Sequence, residues 1–323
     1  MAKTTKPTIP NDRISEMLGG KLPKGFADSD RFLDVVSWNL RWFNSQNKER
    51  SKKIYDVLAA LNADVFVFQE IEMDSLNDIC DDLNKAGLGS YRIHYGTTGR
   101  DQRLAIMYDF DWVRAKDDIQ ELFGKKAVMT PTGKDVFPRL PLWSYFYTRS
   151  MGGSQRGFDF QIVGLHLKSQ MDKTGEGEDQ LQRRLSADKL ADWLVKEASV
   201  LDGDVVLIGD WNKEPSAEEW QAFHKLEKKN IVEFKAVNDE SDFSHLYYKN
   251  INSVGSRLDL AVVSSESVKQ MKHKPRPILW LTLEELLSGS ASASEVKKVI
   301  NEIKKEVTDH LPLHNRFYQT LKS

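Results

Sequence analysis

Apolar positions along this chain follow two alternating rhythms. Short apolar runs rich in Val, at 33–38 and, with two Phe added, at 64–69, have the length and β-branched content of buried strands. The stretches after them carry one apolar side. Ile54, Val57, Leu58 and Leu61 recur at helical spacing, with Lys52, Lys53 and Asp56 among the positions facing water, and Leu76, Ile79, Cys80 and Leu83 repeat the pattern. Strand, helix, strand, helix in that order predicts sheets covered by helices, not an all-β sandwich.

After Tyr91 the texture changes. Strands are expected at 91–95, 104–108, 142–148 and 158–165, with turns at Gly96-Thr97-Thr98-Gly99 and Met151-Gly152-Gly153, so neighbours should be antiparallel. A helix follows at about 180–197 with Leu190, Trp193 and Leu194 on one side, then a buried strand at 204–208. Ser216 and Glu219 form a capping box opening a helix through Lys228, and late strands fall at 245–248 and 258–264. The piece from 282 to 307 reads as helical, with a second capping box at Thr282 and Glu285 and a stripe of Val296, Val299, Ile300, Ile303 and Val307; Ser288-Gly289-Ser290-Ala291-Ser292 splits it. Pro7, Pro10, Gly19, Gly20, Pro23 and Gly25 make 1–30 a flexible lead-in. The remainder, 31–323, reads as a single domain with a helical insert at about 281–307 and no internal repeat.

At 323 residues and 40% hydrophobic, the chain can bury a large core. A net charge of −2 gives no global basic field, so any nucleic-acid contact must come from a local patch. Cys80 is the only cysteine, which excludes an intramolecular disulfide. No stretch approaches the ~20 apolar residues of a membrane span. A soluble, cytoplasmic protein with no membrane association and no obligate protein partner is expected.

What the strand-like runs deliver is more specific. Asn39 follows 35–38, Glu70 follows 65–69 and His166 follows 162–165. Gly209-Asp210-Trp211-Asn212 closes a buried run, Asp259 opens another, and Thr308-Asp309-His310-Leu311 follows the last helix. This is the layout of a metal-assisted phosphoester-cleaving site. A phosphodiester resists hydrolysis because its anionic oxygens repel a nucleophile and its alkoxide leaves poorly, so charge must be neutralised and water aligned. Mg²⁺, with Mn²⁺ as a substitute, takes hard oxygen ligands and keeps several waters. Glu70 and Asp309 are the expected carboxylate ligands, supported by the Asn39 amide. Asp210 is expected to take a proton from water, and Asn212 to orient that water or hold a phosphate oxygen. His166 and His310 are expected donors to non-bridging oxygens, with Asp259 the partner of one of them.

Arg41, Arg103 and Lys168 adjoin these positions and are the expected substrate-binding cations, with Arg100, Arg139 and Lys213 nearby. Trp42 and Trp211 either stack on bases or rest against the sheet. Arg183-Arg184 and the alternating Lys and Glu of 295–306 read as solvated helix faces. Taken singly, each site residue has a plainer use: Asn39 as a turn former, His166 as a core histidine, Asp259 as an ion-pair partner for Arg257. Their joint order favours the chemistry.

Further matches extend the series: Ser37-Trp38-Asn39, Gln69-Glu70, Leu104-Ala105-Ile106-Met107-Tyr108, Gly164-Leu165-His166-Leu167-Lys168-Ser169, Arg257-Leu258-Asp259 and Thr308-Asp309-His310-Leu311-Pro312. In this order they resemble the endonuclease/exonuclease/phosphatase superfamily, from about residue 32 to the end. The resemblance implies an α/β fold similar to deoxyribonuclease I and exonuclease III, a four-layer α/β sandwich of two packed mixed β-sheets flanked by helices. It implies Glu70 for metal with Asn39 and Asp309 completing that neighbourhood, Asp210 for water activation and Asn212 for water or phosphate. Asp259 would orient His310, and His166 would contact the scissile phosphate.

Departures narrow the branch. Leu40-Arg41-Trp42-Phe43 stands where apurinic-site nucleases usually have Asn-Gly-Leu, and His166 where they often have Tyr. Gly255-Ser256-Arg257-Leu258-Asp259 lacks the motif of inositol-phosphate phosphatases, and secreted deoxyribonucleases use disulfides. The remainder is similar to the bacterial-type nuclease-like branch. The leading expectation is a Mg²⁺-dependent nuclease hydrolysing DNA, before RNA, by direct attack of water. The alternatives are a sphingomyelinase-like or phosphatase enzyme for a small or lipid phosphoester, and a catalytically silent binding module.

Overall fold

The computed structural model describes residues 32–124, 128–148, 157–170, 177–235, 243–250, 253–278, 287 and 291–318. The expected lead-in, the turn at 151–153 and the capping box at Thr282 lie outside the described residues.

The first half opens with β1 (Phe32–Phe43), α1 (Lys48–Leu61), β2 (Val65–Ile71) and α2 (Asn77–Lys85). Strands β3 (Tyr91–Tyr95), β4 (Arg103–Asp109), β5 (Val113–Ala115), β6 (Gln120–Glu121), β7 (Leu142–Thr148) and β8 (Asp159–His166) follow. Then come α3 (Glu178–Trp193), prolonged by a π turn over Leu194–Ala198, β9 (Val205–Asp210), α4 (Gln221–Lys228) and β10 (Val232–Lys235). The last part holds β11 (His245–Asn250), β12 (Ser253–Ser256), β13 (Asp259–Ser264), α5 (Ser265–Gln270), β14 (Met271–Pro277), α6 (Ala293–Glu306) and β15 (Leu313–Tyr318).

These strands form two mixed sheets and a small hairpin. One sheet runs β14-β15-β1-β2-β4-β3; the other runs β10-β13-β9-β8-β7-β5, with β6 also on β7. Each holds one parallel pair, β1 with β2 and β8 with β9, and each pair is joined through a helix. The alternation of each strand explains the layering. In β1, Leu33 and Val35 meet β8 and β9 residues such as Ile162 and Ile208 between the sheets. Val36 and Trp38 point the other way, against Ile54, Leu58, Ile79, Val296 and Ile300 of α1, α2 and α6. On the far side, Val163, Leu165 and Leu207 pack against Leu190, Trp193 and Phe223 of α3 and α4. The result is helix, sheet, sheet, helix: a deoxyribonuclease I-like α/β sandwich.

Local departures from expectation have physical causes. The Ser216–Glu219 capping box does not form, because Glu219 is buried and accepts from Arg183 at 2.9 Å. A capping box forms instead at Ser292 and Glu295, opening α6. Gly164 lets the sheets approach, since a Cβ there would lie 2.7 Å from Val67 of the facing sheet. Among the described residues, no helix is long and apolar enough to cross a membrane.

Candidate active site

Sheet register brings the strand-borne polar residues together. Asn39 lies near the end of β1, beside Gln69 of parallel β2, and Glu70 comes next. In the other sheet His166 and Asp210 close parallel β8 and β9 as register partners, and Asp259 of antiparallel β13 sits opposite Asp210. The carboxyl ends of both parallel pairs therefore meet at one edge of the sandwich, the usual place for an α/β ligand site.

The backbone is bent there. Arg41, Trp42, Glu70 and Asn212 have φ of 44°, 52°, 56° and 58°, a left-handed conformation that non-glycine residues seldom adopt. The first three lie where the ladder register breaks, between Asn39 and Phe43 and between Phe68 and Ile71. Such bulges re-aim side chains off the sheet, and strain of this kind persists only where surrounding contacts hold it.

Asp210 is the hub. Its Oδ2 accepts from Asn39 Nδ2 at 3.0 Å, and its Oδ1 from the Asn212 amide at 2.8 Å. The same Asn39 amide donates to Glu70 Oε1 at 3.2 Å. His166 Nε2 lies 3.6 Å from Glu70 and 3.7 Å from Asp210, and His310 Nε2 lies 3.9 Å from Asp210. Asn212 is tied to the β8 exit by donating to the Leu167 carbonyl at 3.0 Å.

Burial and charge split the two histidines. Burial drives His166 well below its ordinary value, and the nearby Arg139 and His310 charges add to this, so its imidazole is neutral. Burial also opposes charge on His310, but Asp259, 2.8 Å from Nδ1, together with Asp210 and Asp309, outweighs it and raises the group to about 10. His310 is therefore an imidazolium. Asp210 is pushed up to about 7 by burial and by its neighbours Asp259 and Glu70, against the opposing His310 charge and the Asn212 amide. A buried acid with a proton affinity near neutrality is suited to general-base work.

The segment Thr308 to Leu311 is fastened on two sides. Thr308 Oγ1 donates to the Asn39 carbonyl at 2.9 Å, and Trp38 Nε1 donates to the His310 carbonyl at 3.0 Å. Leu311 donates to Ser244 and Leu246 to Asp309 across the hairpin strand β11. This bridge brings in His245, which sequence reasoning placed only at the start of a late strand. Its ring lies 4.8 Å from that of His310, and its Nε2 4.0 Å from Asp309. The pairing that delivers it is non-local, so no spacing in the sequence signals it.

The expected substrate cations are all engaged by protein. Arg41 Nε pairs with Asp309 at 3.2 Å, Arg103 donates to the Thr97 carbonyl at 2.6 Å and Lys168 pairs with Asp179 at 3.0 Å. Arg139 is different: it is buried, feels the charges of Glu70 and Asp210, and among the described residues has no carboxylate at ion-pair distance. One reading needs correction. Arg183 is not a solvated face; it is buried against Glu219 and donates to the carbonyls of Lys168 and Ser169, fixing the loop after His166. Trp211 takes the packing alternative: it is wholly buried, in edge-to-face contact with Trp220, Phe223 and Phe234.

Two groups can converge on a cation: Glu70, His166 and Asp210, and His245, Asp309 and His310. Their carboxylates are hard oxygen donors and their imidazoles softer nitrogen donors. The Glu70 and Asp309 side chains are 14% and 15% exposed, whereas those of Asp210 and Asp259 are 2% and 0%, so the former two are the carboxylates open to an incoming ion.

Fold and site together define a phosphoester hydrolase on a deoxyribonuclease I-like scaffold. The chain belongs to the Endonuclease/Exonuclease/phosphatase family, whose model matches residues 36–270. No curated protein matches the sequence. Among solved structures it is similar to an endonuclease/exonuclease/phosphatase family protein from Bacteroides thetaiotaomicron, with 20% identity, TM-score 0.57 and coverage of 90% of this chain and 98% of that one. TDP2 from Caenorhabditis elegans, truncated, gives 16% identity and TM-score 0.52, covering 89% and 98%. The 3′ phosphatase NExo from Neisseria, bound to a product DNA hairpin, gives 15% identity and TM-score 0.53, covering 88% and 99%.

Proposed function

We propose that this chain is a Mg²⁺-dependent nuclease that hydrolyses phosphodiester bonds in DNA, before RNA, by direct attack of water. The observation that carries the reading is Asp210: raised to about 7, held by Asn39 and Asn212, and facing the His310 imidazolium. Asp210 takes the proton from water as the water attacks phosphorus. Asn212 fixes the carboxylate through its backbone amide and orients the water with its side chain. His310, kept charged by Asp259, donates to a phosphate oxygen as negative charge grows there. His166 is neutral, yet still carries one N–H for the phosphate.

Glu70 and Asp309, with Asn39 beside them, would hold the Mg²⁺, which when bound supplies charge neutralisation at the phosphate. Arg139 offers a buried positive charge to the substrate anion, while Arg41, Arg103 and Lys168, already bonded within the protein, add only longer-range positive charge. Nucleic acid is favoured because one structural neighbour is bound to a DNA hairpin.

The test is hydrolysis by purified protein of supercoiled plasmid, linear duplex, single-stranded DNA, RNA and small phosphate esters, with Mg²⁺, Mn²⁺ or EDTA. Metal-dependent cutting of DNA, lost in Glu70→Ala, is the expected result. Release of phosphate from small or lipid esters with DNA left intact would overturn the reading.

A further inference from the structure

Trp42 stands out among the aromatic residues of this molecule. The other large aromatics near the site are packed away, yet Trp42 is 56% exposed, the one exposed tryptophan among the described residues. It is exposed by construction. Leu40 and Phe43, three residues apart, are fully buried in one cluster, whereas regular β alternation would turn them to opposite faces, so the strand must break between them. The chain instead takes left-handed turns at Arg41 and Trp42, with φ of 44° and 52°, in the register break between Asn39 and Phe43.

Left-handed backbone is unfavourable for a bulky side chain, and several contacts enforce it. The Arg41 amide donates to Asn39 Oδ1 at 2.9 Å. Arg50 reaches over from α1 and donates to the carbonyls of Leu40, Arg41 and Val307, the last two at 2.9 and 2.8 Å. Arg41 in turn donates to the Lys304 carbonyl at the end of α6 and pairs with Asp309. The same bulge therefore holds Asn39 and Asp309 at the site and presents an indole to solvent beside them. Glu72 donates to the Phe43 carbonyl at 3.0 Å, so Met73, itself 44% exposed, lies one residue beyond the same rung. Trp42 and Met73 are thus two exposed apolar side chains, each three residues beyond a site residue, Asn39 and Glu70.

We infer that Trp42 is a stacking platform for an unpaired base next to the scissile phosphate. This deepens, and rests on, the nuclease reading above. An indole offers a flat π-face that every base can cover, and such a contact is sequence-tolerant. A base inside a continuous duplex already stacks on both faces and has none free for Trp42. The substrate class is therefore a strand end, a single strand or a frayed junction, in preference to intact duplex. Arg41 does not compete for the base, since its guanidinium is occupied by Asp309 and Lys304.

The experiment measures binding of a dye-labelled single-stranded DNA oligonucleotide by fluorescence anisotropy in Ca²⁺, with an abasic spacer walked along it. Wild type is compared with Trp42→Phe, Trp42→Ala and Trp42→Gly. Glycine adopts φ near 50° without strain, so Trp42→Gly should melt no lower than wild type, which separates binding from folding. Trp42→Ala and Trp42→Gly should weaken binding about tenfold, and Trp42→Phe should keep most of it. One abasic position should cost wild type about tenfold and cost Trp42→Gly nothing further. Wild-type affinity in Trp42→Gly, or an equal abasic penalty in both proteins, would overturn the stacking role while metal-dependent cleavage by wild type left the nuclease reading standing. A wild type that neither binds nor cuts oligonucleotides but hydrolyses a small phosphate ester would remove both.

Discussion

Strand β1 carries a buried polar network at each end, and the two behave in opposite ways. At its start Asp34 accepts from Arg316 through both oxygens, at 2.7 and 3.0 Å, and lies 2.7 Å from His314 Nε2. Burial alone would raise that carboxyl, but the His314 and Arg316 contacts hold it well below the usual carboxylate range. At its other end Asn39 joins Glu70 and Asp210, where acids crowd one another and Asp210 rises to about 7. One network matches charge with charge and pins β1 to β15. The other leaves like charges facing each other and keeps protons movable. The difference teaches that a buried charge serves stability when its partners neutralise it, and serves chemistry when they do not.

The largest expected effect breaks the catalytic end. Asp210→Asn should lower DNA cleavage by about 10³-fold, within the range for loss of a general base, with the fold retained. Gel-based cleavage beside circular dichroism checks it. Next, His310→Ala should cost about 10²-fold in kcat, because it removes the imidazolium and leaves Asp259 buried without its partner. Steady-state kinetics would show the loss in kcat more than in KM.

At the other end Asp34→Asn should destabilise by about 3 kcal/mol, since it removes the carboxylate against which Arg316 and His314 are buried. Denaturant melts would show this, with activity per folded molecule unchanged. The two ends also differ in pH response in the metal-free protein. Asp34, with a depressed folded value, contributes stability that is fully present above the unfolded carboxyl value of about 3.9 and is lost as pH falls below it. Asp210, raised to about 7, does the reverse: stability falls as pH rises from the unfolded value of about 3.9 to about 7. Melting temperatures from pH 3 to about 8 should lose the first slope in Asp34→Asn and the second in Asp210→Asn. The smallest effect is expected at Lys168, whose ion pair with Asp179 is partly exposed. Lys168→Ala should change stability by no more than about 1 kcal/mol in a melt.

The same contrast explains how much of the molecule was legible beforehand. Strand ends were readable because Val35 to Trp38 and Val65 to Gln69 are buried runs whose polar successors must emerge at an edge. Parallel pairing then brought Asn39, Glu70, His166 and Asp210 together by register, with Asp259 opposite. Arg183 was misread because its helix offers no clean apolar stripe, and burial of its charge depends on Glu219, distant in sequence. His245 and the Asp34–Arg316 pin were not singled out, since each forms only when remote strands pair. Trp42 was left between stacking and packing because exposure there depends on a bulge fixed by Arg50 and α6.

The most direct test of the central claim is paired measurement of DNA cleavage and melting temperature for wild type and Asp210→Asn at neutral pH. The account predicts that cleavage is lost while the melting temperature holds or rises, because the substitution removes a carboxylate crowded by Glu70 and Asp259. Near wild-type cleavage in Asp210→Asn, or a melting temperature that falls in step with activity, would contradict it.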